Sequence, residues 1–187
     1  MQPILTNLQF KGAESDLELR QILALQKDNY RDYVSAEEAQ EQGFVSIEHD
    51  LALLKAMNED YPHVIAQDGS ELVGYALVML QKFGDAIPVL FPMFERINNL
   101  TLNGVSLRQY RYFIMGQICI AKAHRSRGIF AQLYQNLAQQ MKGDFNLIVT
   151  EVASRNKRSL RAHEKVGFQI LKTYTAEEEW NIIALEL

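Results

Sequence analysis

The residues with the most chemical content lie between Gln117 and Phe168. An apolar strand pattern leads into the basic glycine turn HRSRGIF, and a helix pattern, a second strand pattern ending at Glu151 and the run NKRSLRAHEKVGF follow it. A basic glycine turn before a helix offers backbone N–H groups and the positive end of the helix dipole to an anion. Phosphate binding is one interpretation of this turn, and an ordinary helix start without a ligand is the other.

Two other glycine motifs do not fit this turn. The letters GIF are not followed by Lys-Ser or Lys-Thr, so the turn lacks the phosphate and metal ligands of a nucleotide-hydrolysing P-loop. The dinucleotide motif GxGxxG is also absent from the sequence. What remains is a local cationic turn that carries two arginines, Arg125 and Arg127, just before Gly128.

Composition limits the classes of protein to which this segment can belong. The 187 residues are 48% hydrophobic, which predicts one globular domain with a sizeable core. A net charge of −4 argues against a general polyanion-binding surface, so we expect no nucleic-acid partner. Cys119 is the only cysteine, which excludes an intramolecular disulfide and a cysteine-rich metal site and favours a reducing cytoplasm. The sequence shows no secretory signal pattern and no apolar run of about 20 residues, so we expect neither targeting nor a membrane span.

Periodicity and turn residues predict the elements that position the segment. In the N-terminal third, the patterns predict a strand over 5–10, a helix over 17–30, a capping box at Ser35 and Glu38, and an amphipathic helix over 47–57. A hairpin follows around Asp68-Gly69-Ser70. Residues 86–107 then interrupt the strand rhythm with a short apolar helix in IPVLFPMFERI and turns in NNLTLNGVSL.

The C-terminal half alternates strands and helices. The patterns predict a strand over 112–121, a helix over 128–141, a strand over 145–152 and a helix over 156–166 with a left-handed cap at Gly167. The segments FQILKTYT and WNIIALEL close the chain as a hairpin over the acidic tip AEEE. This order of elements predicts a mixed α/β sheet covered by helices.

Two motifs in this segment carry a family resemblance. RSRGIF at 125–130 resembles the (Gln/Arg)xxGx(Gly/Ala) acyl-CoA loop of the GNAT superfamily of N-acetyltransferases, although Phe130 is bulky where that family usually has Gly or Ala. EVASRNKRSLRAHEKVGF at 151–168 resembles the family's final block, in which a Glu, an Asn and a helical position seven residues further on precede Gly-Phe. The resemblance covers 63–187, whereas 1–62 match mainly in being helical.

The resemblance implies a single α/β (α+β) GNAT-like domain over 1–187. Its central sheet is expected to be mixed and mostly antiparallel, with two parallel strands that splay apart and helices on its flanks. Residues 1–62 would form the acceptor side, and 63–187 would form the acyl-CoA core with an insertion near 86–107. Acetyl-CoA is the implied co-substrate, and no metal is expected.

The family motifs imply a set of cofactor contacts. These are Ile118, Cys119, Ile120, Arg125, Ser126, Arg127, Gly128, Ile129, Phe130, Ala131, Asn156 and Ser159. The backbone of 118–120 would pair with pantetheine, the amides of 127–131 would hold the pyrophosphate, and Asn156 with Ser159 would hold the pantetheine arm. Lys157 and Arg158 are candidates for the adenosine phosphates.

Amine acylation needs a neutral amine, a group that removes its proton and a donor for the departing thiolate. Glu151 resembles the general base of ribosomal-protein N-terminal acetyltransferases, and a solvated strand-end carboxylate is the alternative. His163 lies seven residues after Asn156, about two helical turns along the same face. Most family members resemble one another in having Tyr at that position, so His163 is a candidate general acid, a hydrogen-bond donor to the sulfur, or a satisfied helix histidine.

The acceptor is predicted to be a small-molecule or peptide amine. Tyr30, Tyr33, Phe44 and the FPMF segment are candidates for its binding side, with core packing or a homodimer contact as alternatives. Cys119 is interpreted as a small buried hydrophobe rather than an acyl carrier. His49, His63 and His124 lack metal-ligand spacing. A non-catalytic acyl-CoA sensor of the same fold, O-acylation and longer acyl chains remain alternatives to N-acetylation.

Overall fold

The computed structural model describes residues 8–30, 32–33, 35, 44–45, 47–87 and 90–187. Its strands are β1 (Leu8–Gly12), β2 (Val64–Asp68), β3 (Glu71–Met79), β4 (Thr101–Leu102), β5 (Val105–Ser106), β6 (Tyr112–Ile120), β7 (Leu147–Ala153), β8 (Gln169–Thr175) and β9 (Glu179–Glu186). Seven of these strands form one sheet in the order β1-β2-β3-β6-β7-β9-β8. The two short strands β4 and β5 form a separate hairpin.

The described α-helices are α1 (Asp16–Asp28), α2 (Leu51–Asp60), α3 (Phe91–Asn98), α4 (Ile129–Met141) and α5 (Lys157–Val166). Local sequence explains where they begin. Ser15 and Glu18 form a capping box at the start of α1, and the Asp50 side chain accepts a hydrogen bond from Leu53 N at the start of α2. At the end of α5, Gly167 adopts a φ of 113°, a left-handed conformation that favours glycine.

The sheet opens between its two central strands. All neighbouring strands in it are antiparallel except β6 and β7, which pair in parallel only from Tyr112–Leu147 to Ile114–Val149. The Thr150 hydroxyl still donates to the carbonyl of Met115 at 2.9 Å. Beyond this point the structure gives no β6–β7 pairing, so the rest of β6 presents its backbone to the space between the strands.

Two hydrophobic clusters cover the two faces of the sheet. One contains Ile22 of α1, Leu54 of α2 and Phe94 of α3, and the other contains Leu133 and Leu137 of α4. Fully burying a side chain of this size contributes about 1.5–3 kcal/mol, so these helices are firmly held against the sheet. The helices therefore form rigid walls on both sides of the opening between β6 and β7.

The interruption at 86–107 contains regular structure. Helix α3 buries Met93, Phe94 and Ile97, and the Tyr112 hydroxyl donates to Asn98 Oδ1 at 2.8 Å. The hairpin of β4 and β5 turns at Asn103 and Gly104, whose φ values of 53° and 79° are typical of a tight hairpin turn. The predicted short helix is confirmed, and the predicted turns include the one at Asn103 and Gly104, which joins two strands of two residues each.

The predicted fold class is confirmed, while several boundaries differ. The second predicted helix begins four residues later than expected, at Leu51, because Asp50 caps it. The first strand is β1 at Leu8–Gly12, and residues 5–7 of its predicted range lie outside the described residues. The predicted capping box at Ser35 and Glu38 cannot be compared because Glu38 also lies outside them.

Candidate active site

The turn after β6 is built to expose backbone N–H groups. Ser126 and Gly128 adopt φ values of 62° and 82°, and no side chain caps the start of α4 within the described chain. The first N–H groups of a helix have no partner within the helix, and alternating left-handed residues make backbone groups converge on an anion. The predicted contacts from Ser126 to Ala131 therefore lie in a turn with the geometry of an anion site.

We expect Gly128→Ala to weaken the binding of acetyl-CoA by about 5- to 30-fold, because the free variant can relax out of the left-handed conformation and restoring it on binding costs an alanine about 1–2 kcal/mol. A Cβ at Gly128 would meet no heavy atom within 4 Å, so the effect would come from the backbone and not from a clash. Isothermal titration calorimetry with acetyl-CoA measures the change. Gly69→Ala is the matched control, since Gly69 has a φ of 64°, equally open surroundings and a position in a hairpin turn. Equal affinity in wild type and Gly128→Ala would contradict the assignment.

Arg125 is held by the protein itself. Its Nη2 donates to Asn29 Oδ1 at 2.5 Å, and its Nε donates to the carbonyl of Ile120 at 3.2 Å. These bonds tie the turn to the end of α1 and to the end of β6. The sequence predicts that Arg125 pairs with a pyrophosphate. The geometry favours a structural role, in which Arg125 holds the turn in shape and places its positive charge beside the turn.

A cavity of about 380 Å³ begins at this turn and follows α5. It is lined by the predicted residues Ile118, Cys119, Ile120, Arg125, Ser126, Gly128, Ile129, Phe130, Asn156, Arg158 and Ser159. It is also lined by Arg161 and Lys165, which the sequence-based prediction missed. Their spacing of four residues on α5 was an available signal, since such residues share one helix face. The lining includes four cationic side chains and, among the described residues, no carboxylate.

A second cavity, of about 480 Å³, lies between the splayed strands, α3 and the tip of the β8–β9 hairpin. It shares Val45, Ile118, Asn156 and Ser159 with the first cavity, so the two spaces adjoin. We call the second one the transfer chamber. Asn156 lies at the junction, where it caps α5 by accepting from Ser159 N at 3.1 Å.

Glu151 lines the transfer chamber from β7. Its two carboxylate oxygens each lie 3.0 Å from the Tyr174 hydroxyl, which donates to them. Burial raises the pKa of Glu151 to about 7, although the hydrogen bond from Tyr174 and the positive charge of Arg96 act in the opposite direction. A carboxylate with a pKa near 7 is matched to proton transfer at neutral pH.

His163 also lines the chamber, but its ring is only 1% exposed. Its Nδ1 lies 2.8 Å from the carbonyl of Ser159, and because a carbonyl only accepts, this nitrogen carries the proton. Its Nε2 then accepts from the Tyr134 hydroxyl at 2.8 Å. Burial lowers the pKa of His163 to about 4. The geometry is that of a satisfied neutral histidine and offers no support for the general-acid role, which stays a prediction.

The two departures from the family pattern contact each other. The rings of Phe130 and His163 lie 5.0 Å apart and perpendicular to one another, and Tyr134 and Phe168 complete the same aromatic cluster. Edge-to-face packing of this kind contributes about 0.5–1.5 kcal/mol per pair. Phe130 thus fastens the first turn of α4 to α5, while its ring also lines the cofactor-side cavity.

The other candidate residues differ in where they lie relative to the two cavities. Burial raises the pKa of Cys119 to about 12, which makes it a poor nucleophile. Of the residues predicted for the acceptor side, Phe44, Pro92 and Met93 line the transfer chamber, whereas Tyr30 and Tyr33 do not. The part of the chain that the structure describes contains no cluster of side chains suited to hold a metal ion.

Comparison with known proteins identifies the family. Residues 19–168 match the family described as Acetyltransferase (GNAT). The chain belongs to the GNAT acetyltransferase family. No curated protein matches it in sequence. The uncapped turn, the local positive charge and the opened strands of this GNAT protein fit the pyrophosphate and the extended arm of coenzyme A.

Solved structures share this GNAT fold at low sequence identity. One is yncA, a putative acetyltransferase from Salmonella typhimurium with acetyl-CoA, at 15% identity and a TM-score of 0.62, covering 96% of this chain and 94% of that one. A Staphylococcus aureus N-acetyltransferase has 15% identity and a TM-score of 0.65, covering 96% and 98%. The ribosomal-protein-alanine N-acetyltransferase from Brucella melitensis has 16% identity and a TM-score of 0.64, covering 96% and 99%.

These findings confirm several predictions made from the sequence. The GNAT family, the fold class, acyltransferase activity and acetyl-CoA as co-substrate are confirmed, while the acceptor remains unspecified. The roles of individual residues stay predictions. Within the described residues, no helix is both long enough and apolar enough to cross a membrane.

Proposed function

We propose that this protein transfers the acetyl group of acetyl-CoA directly to a primary amine of a small molecule or peptide, with Glu151 as general base. The observation that carries the proposal is the position of Glu151. Its carboxylate lies in a chamber that adjoins the cationic cofactor cleft, and its pKa is about 7. Such a group can accept a proton from an incoming ammonium or amine, directly or through a water molecule.

The opened strand and the turn provide the binding residues. Acetyl-CoA supplies an activated thioester whose carbonyl carbon the amine attacks. In our proposal, backbone groups of 118–120 on β6 pair with the pantetheine arm as a neighbouring strand would. The amides of 127–131 and the cationic face of α5 hold the phosphates, and the aromatic cluster around His163 keeps α4 and α5 at a fixed spacing.

The departing sulfur needs a hydrogen-bond donor other than a protonated His163. We propose the hydroxyl of Ser159, which lines both cavities and lies 3.3 Å from His163 Nδ1. The Nδ1 proton donates mainly to the Ser159 carbonyl at 2.8 Å, so the Ser159 hydroxyl can only accept a longer share of it and keeps its own hydrogen for another acceptor. His163 is then a positioning residue that orients Ser159 and packs against Phe130.

We expect His163→Gln to lower kcat by less than about tenfold, because a glutamine amide can donate to the Ser159 carbonyl and accept from Tyr134. Stopped-flow thiol release at saturating acetyl-CoA measures kcat, and calorimetry measures the affinity for acetyl-CoA. A loss of kcat by about 100-fold or more with unchanged affinity would instead assign the general-acid role to His163.

The proposed acceptor side is the part of the transfer chamber that α3 and the tip of the β8–β9 hairpin line. Pro92 and Met93 of α3 provide apolar contacts there, while Glu177 and Glu178 at the hairpin tip provide negative charge. An extended amine with an apolar portion fits this lining better than a compact polar one. The similarity to an enzyme named for ribosomal-protein alanine supports testing peptide amines alongside small ones.

The proposal is tested by incubating the protein with acetyl-CoA and a panel of polyamines, amino acids, aminoglycosides and N-terminal peptides, while following free thiol. We expect amine-dependent thiol release and an acetylated product by mass spectrometry. Binding of acetyl-CoA with no thiol release across the panel would favour the alternative, a non-catalytic acyl-CoA sensor of the same fold. A melting temperature unchanged by saturating acetyl-CoA would contradict cofactor binding, since a ligand that binds only the native state raises it.

The remaining sequence-based predictions keep that status. The division into an acceptor side at 1–62 and a cofactor core at 63–187 stays a prediction: Phe44, Val45 and Ile47 of the first part line the transfer chamber, and α3 and the hairpin tip of the second part line it as well. A homodimer is a further option, for which the described residues offer only scattered exposed side chains, among them Tyr33, Phe91 and Ile170. A cytoplasmic location stays a prediction, supported by the single cysteine and by the sequence having no secretory signal pattern.

A further inference from the structure

The insertion between β3 and β6 contributes one cation, Arg96, to the lining of the transfer chamber. Arg96 of α3 places its guanidinium carbon 4.2 Å from the centre of the Tyr174 ring, an arrangement in which the ring face attracts the charge. Helix α3 is held by its buried residues Met93, Phe94 and Ile97, so the position of Arg96 is fixed by core packing. Arg96 forms no ion pair with a carboxylate among the described residues.

Tyr174 connects this cation to Glu151. Its hydroxyl lies 3.0 Å from both carboxylate oxygens, so one hydrogen is shared between them and the carboxylate is held symmetrically. Burial and the neighbouring Glu151 raise the pKa of Tyr174 well above its ordinary value, so it stays a donor over the whole working pH range. The three side chains come from α3, β7 and β8 and form a row from the insertion to the candidate base.

We propose that Arg96 and Tyr174 are positioning residues that orient the carboxylate of Glu151 and favour its ionised form. The inference rests on the proposed function for its catalytic meaning, but the contacts that carry it are independent of any acceptor. It gives the 86–107 insertion a role in the reaction. Without these two residues, burial alone would act on the carboxyl group and shift its ionisation to higher pH.

Other charged and titratable groups near Glu151 do not replace this pair. From α5, His163 faces the chamber as a neutral ring. From the hairpin tip, Glu177 and Glu178 carry the same charge as Glu151, so neither can stabilise its ionised form. Glu178 is itself paired with Arg155, which stacks over Phe44 and does not line the chamber. Among the residues that the structure describes, Arg96 is therefore the only cation that lines the chamber with Glu151.

The ionisation of Glu151 can be measured directly in the protein without an acceptor. We would titrate protein labelled with carbon-13 at the glutamate carboxyl carbons by NMR and assign the Glu151 signal by its loss in Glu151→Gln. For Arg96→Met we expect the midpoint to rise by about 0.5–1 pH unit, and for Tyr174→Phe by about 1 unit. Lys82→Met is the matched control, because it removes a cation that lies over an aromatic ring, Phe83, outside both cavities, and its midpoint should equal that of wild type.

Kinetics then test the consequence for the reaction, with the fastest amine from the panel as the probe. We expect Arg96→Met to lower kcat/KM at pH 6.5 by about 3- to 10-fold and to leave the plateau at pH 9 within about twofold. Arg96→Lys, which restores the charge, should return the profile toward that of wild type. A uniform loss at every pH, or a higher KM only for acceptors that carry a carboxylate, would assign Arg96 to structure or to substrate binding and overturn the inference.

Failure of this inference is distinguishable from failure of the proposed function. If Arg96→Met and Tyr174→Phe leave the NMR midpoint of Glu151 unchanged, the inference is wrong whatever the activity of Glu151→Gln. If the midpoint moves as expected but Glu151→Gln keeps wild-type turnover, the pair tunes a carboxylate that is not the base, and the proposed catalytic role of Glu151 is wrong.

Discussion

Glu151→Gln is expected to lower kcat by about 100- to 10,000-fold, the range typical of a lost general base. Glutamine keeps the size of the side chain and can still accept the hydrogen bond from Tyr174, so the chamber should keep its shape. The affinity for acetyl-CoA should not change, because Glu151 lines the transfer chamber and not the cofactor cleft. Single-turnover thiol release and calorimetry measure the two quantities separately.

A suitable control for this change is Glu164→Gln, which removes an exposed carboxylate from α5 outside both cavities. Its kcat should equal that of wild type. A loss of less than about tenfold in Glu151→Gln would show that another group, or bulk water, removes the proton.

The dependence of kcat/KM on pH is a second test of Glu151 as the general base. With a pKa of about 7, Glu151 is protonated below that pH and unable to accept a proton. For an acceptor whose own ionisation is constant over the range, kcat/KM should rise tenfold per unit below pH 7 and level off above it. The Glu151→Gln variant should lack this limb.

As the pH rises through 7, the contribution of Glu151 to stability should fall while the activity rises. The folded-state pKa of Glu151 is raised from 4.5 to about 7, so its contribution to stability is present below pH 4.5 and is lost as the pH rises through 7. The loss at pH 8 is about 3 kcal/mol. Glu151→Gln should therefore be more stable than wild type at pH 8 and similar to it at pH 4.5, as measured by urea unfolding at the two values.

The parts of the site that the sequence predicts are those that lie close together along the chain. The turn from Ser126 to Gly128 and the cap at Asn156 depend on local backbone conformation, which glycine and asparagine strongly influence. Their order and spacing were sufficient to predict the family and the cofactor side. The helix at 128–141 was predicted nearly to the residue for the same reason, because its apolar stripe is a local pattern.

The environment of the candidate acid and base could not be predicted in this way. Tyr174 and Tyr134 lie 23 and 29 residues from the groups they bond, on other elements, and nothing in their own neighbourhoods indicates those contacts. The protonation behaviour of a side chain depends on burial and on such distant partners. A titratable group at 163 therefore suggested an acid from the sequence, although its surroundings in the fold keep it neutral.

We expect a steep loss of stability in mild acid, because three histidines are buried in the fold. Burial lowers the pKa of His49 and His163 to about 4 and that of His63 to about 3, whereas an unfolded histidine titrates near 6.5. For groups with depressed folded-state pKa values, this contribution to stability is present above pH 6.5 and is lost as the pH falls. Together the three amount to a loss on the order of 10 kcal/mol by pH 4, comparable with the whole stability of a domain.

Glu151 acts in the opposite direction to the histidines, because its carboxyl group releases a proton on unfolding in this pH range. At pH 5.5 unfolding binds nearly three protons on the histidines and releases about one from Glu151, so wild type should take up about two protons in total. The slope of unfolding free energy against pH should then be about 2.7 kcal/mol per unit, measured by urea unfolding between pH 5 and 6. Glu151→Gln should steepen the slope by about one proton, and His49→Gln should reduce it by about one. A wild-type slope near zero would mean that the histidines are charged in the native state, which would also remove the argument against His163 as an acid.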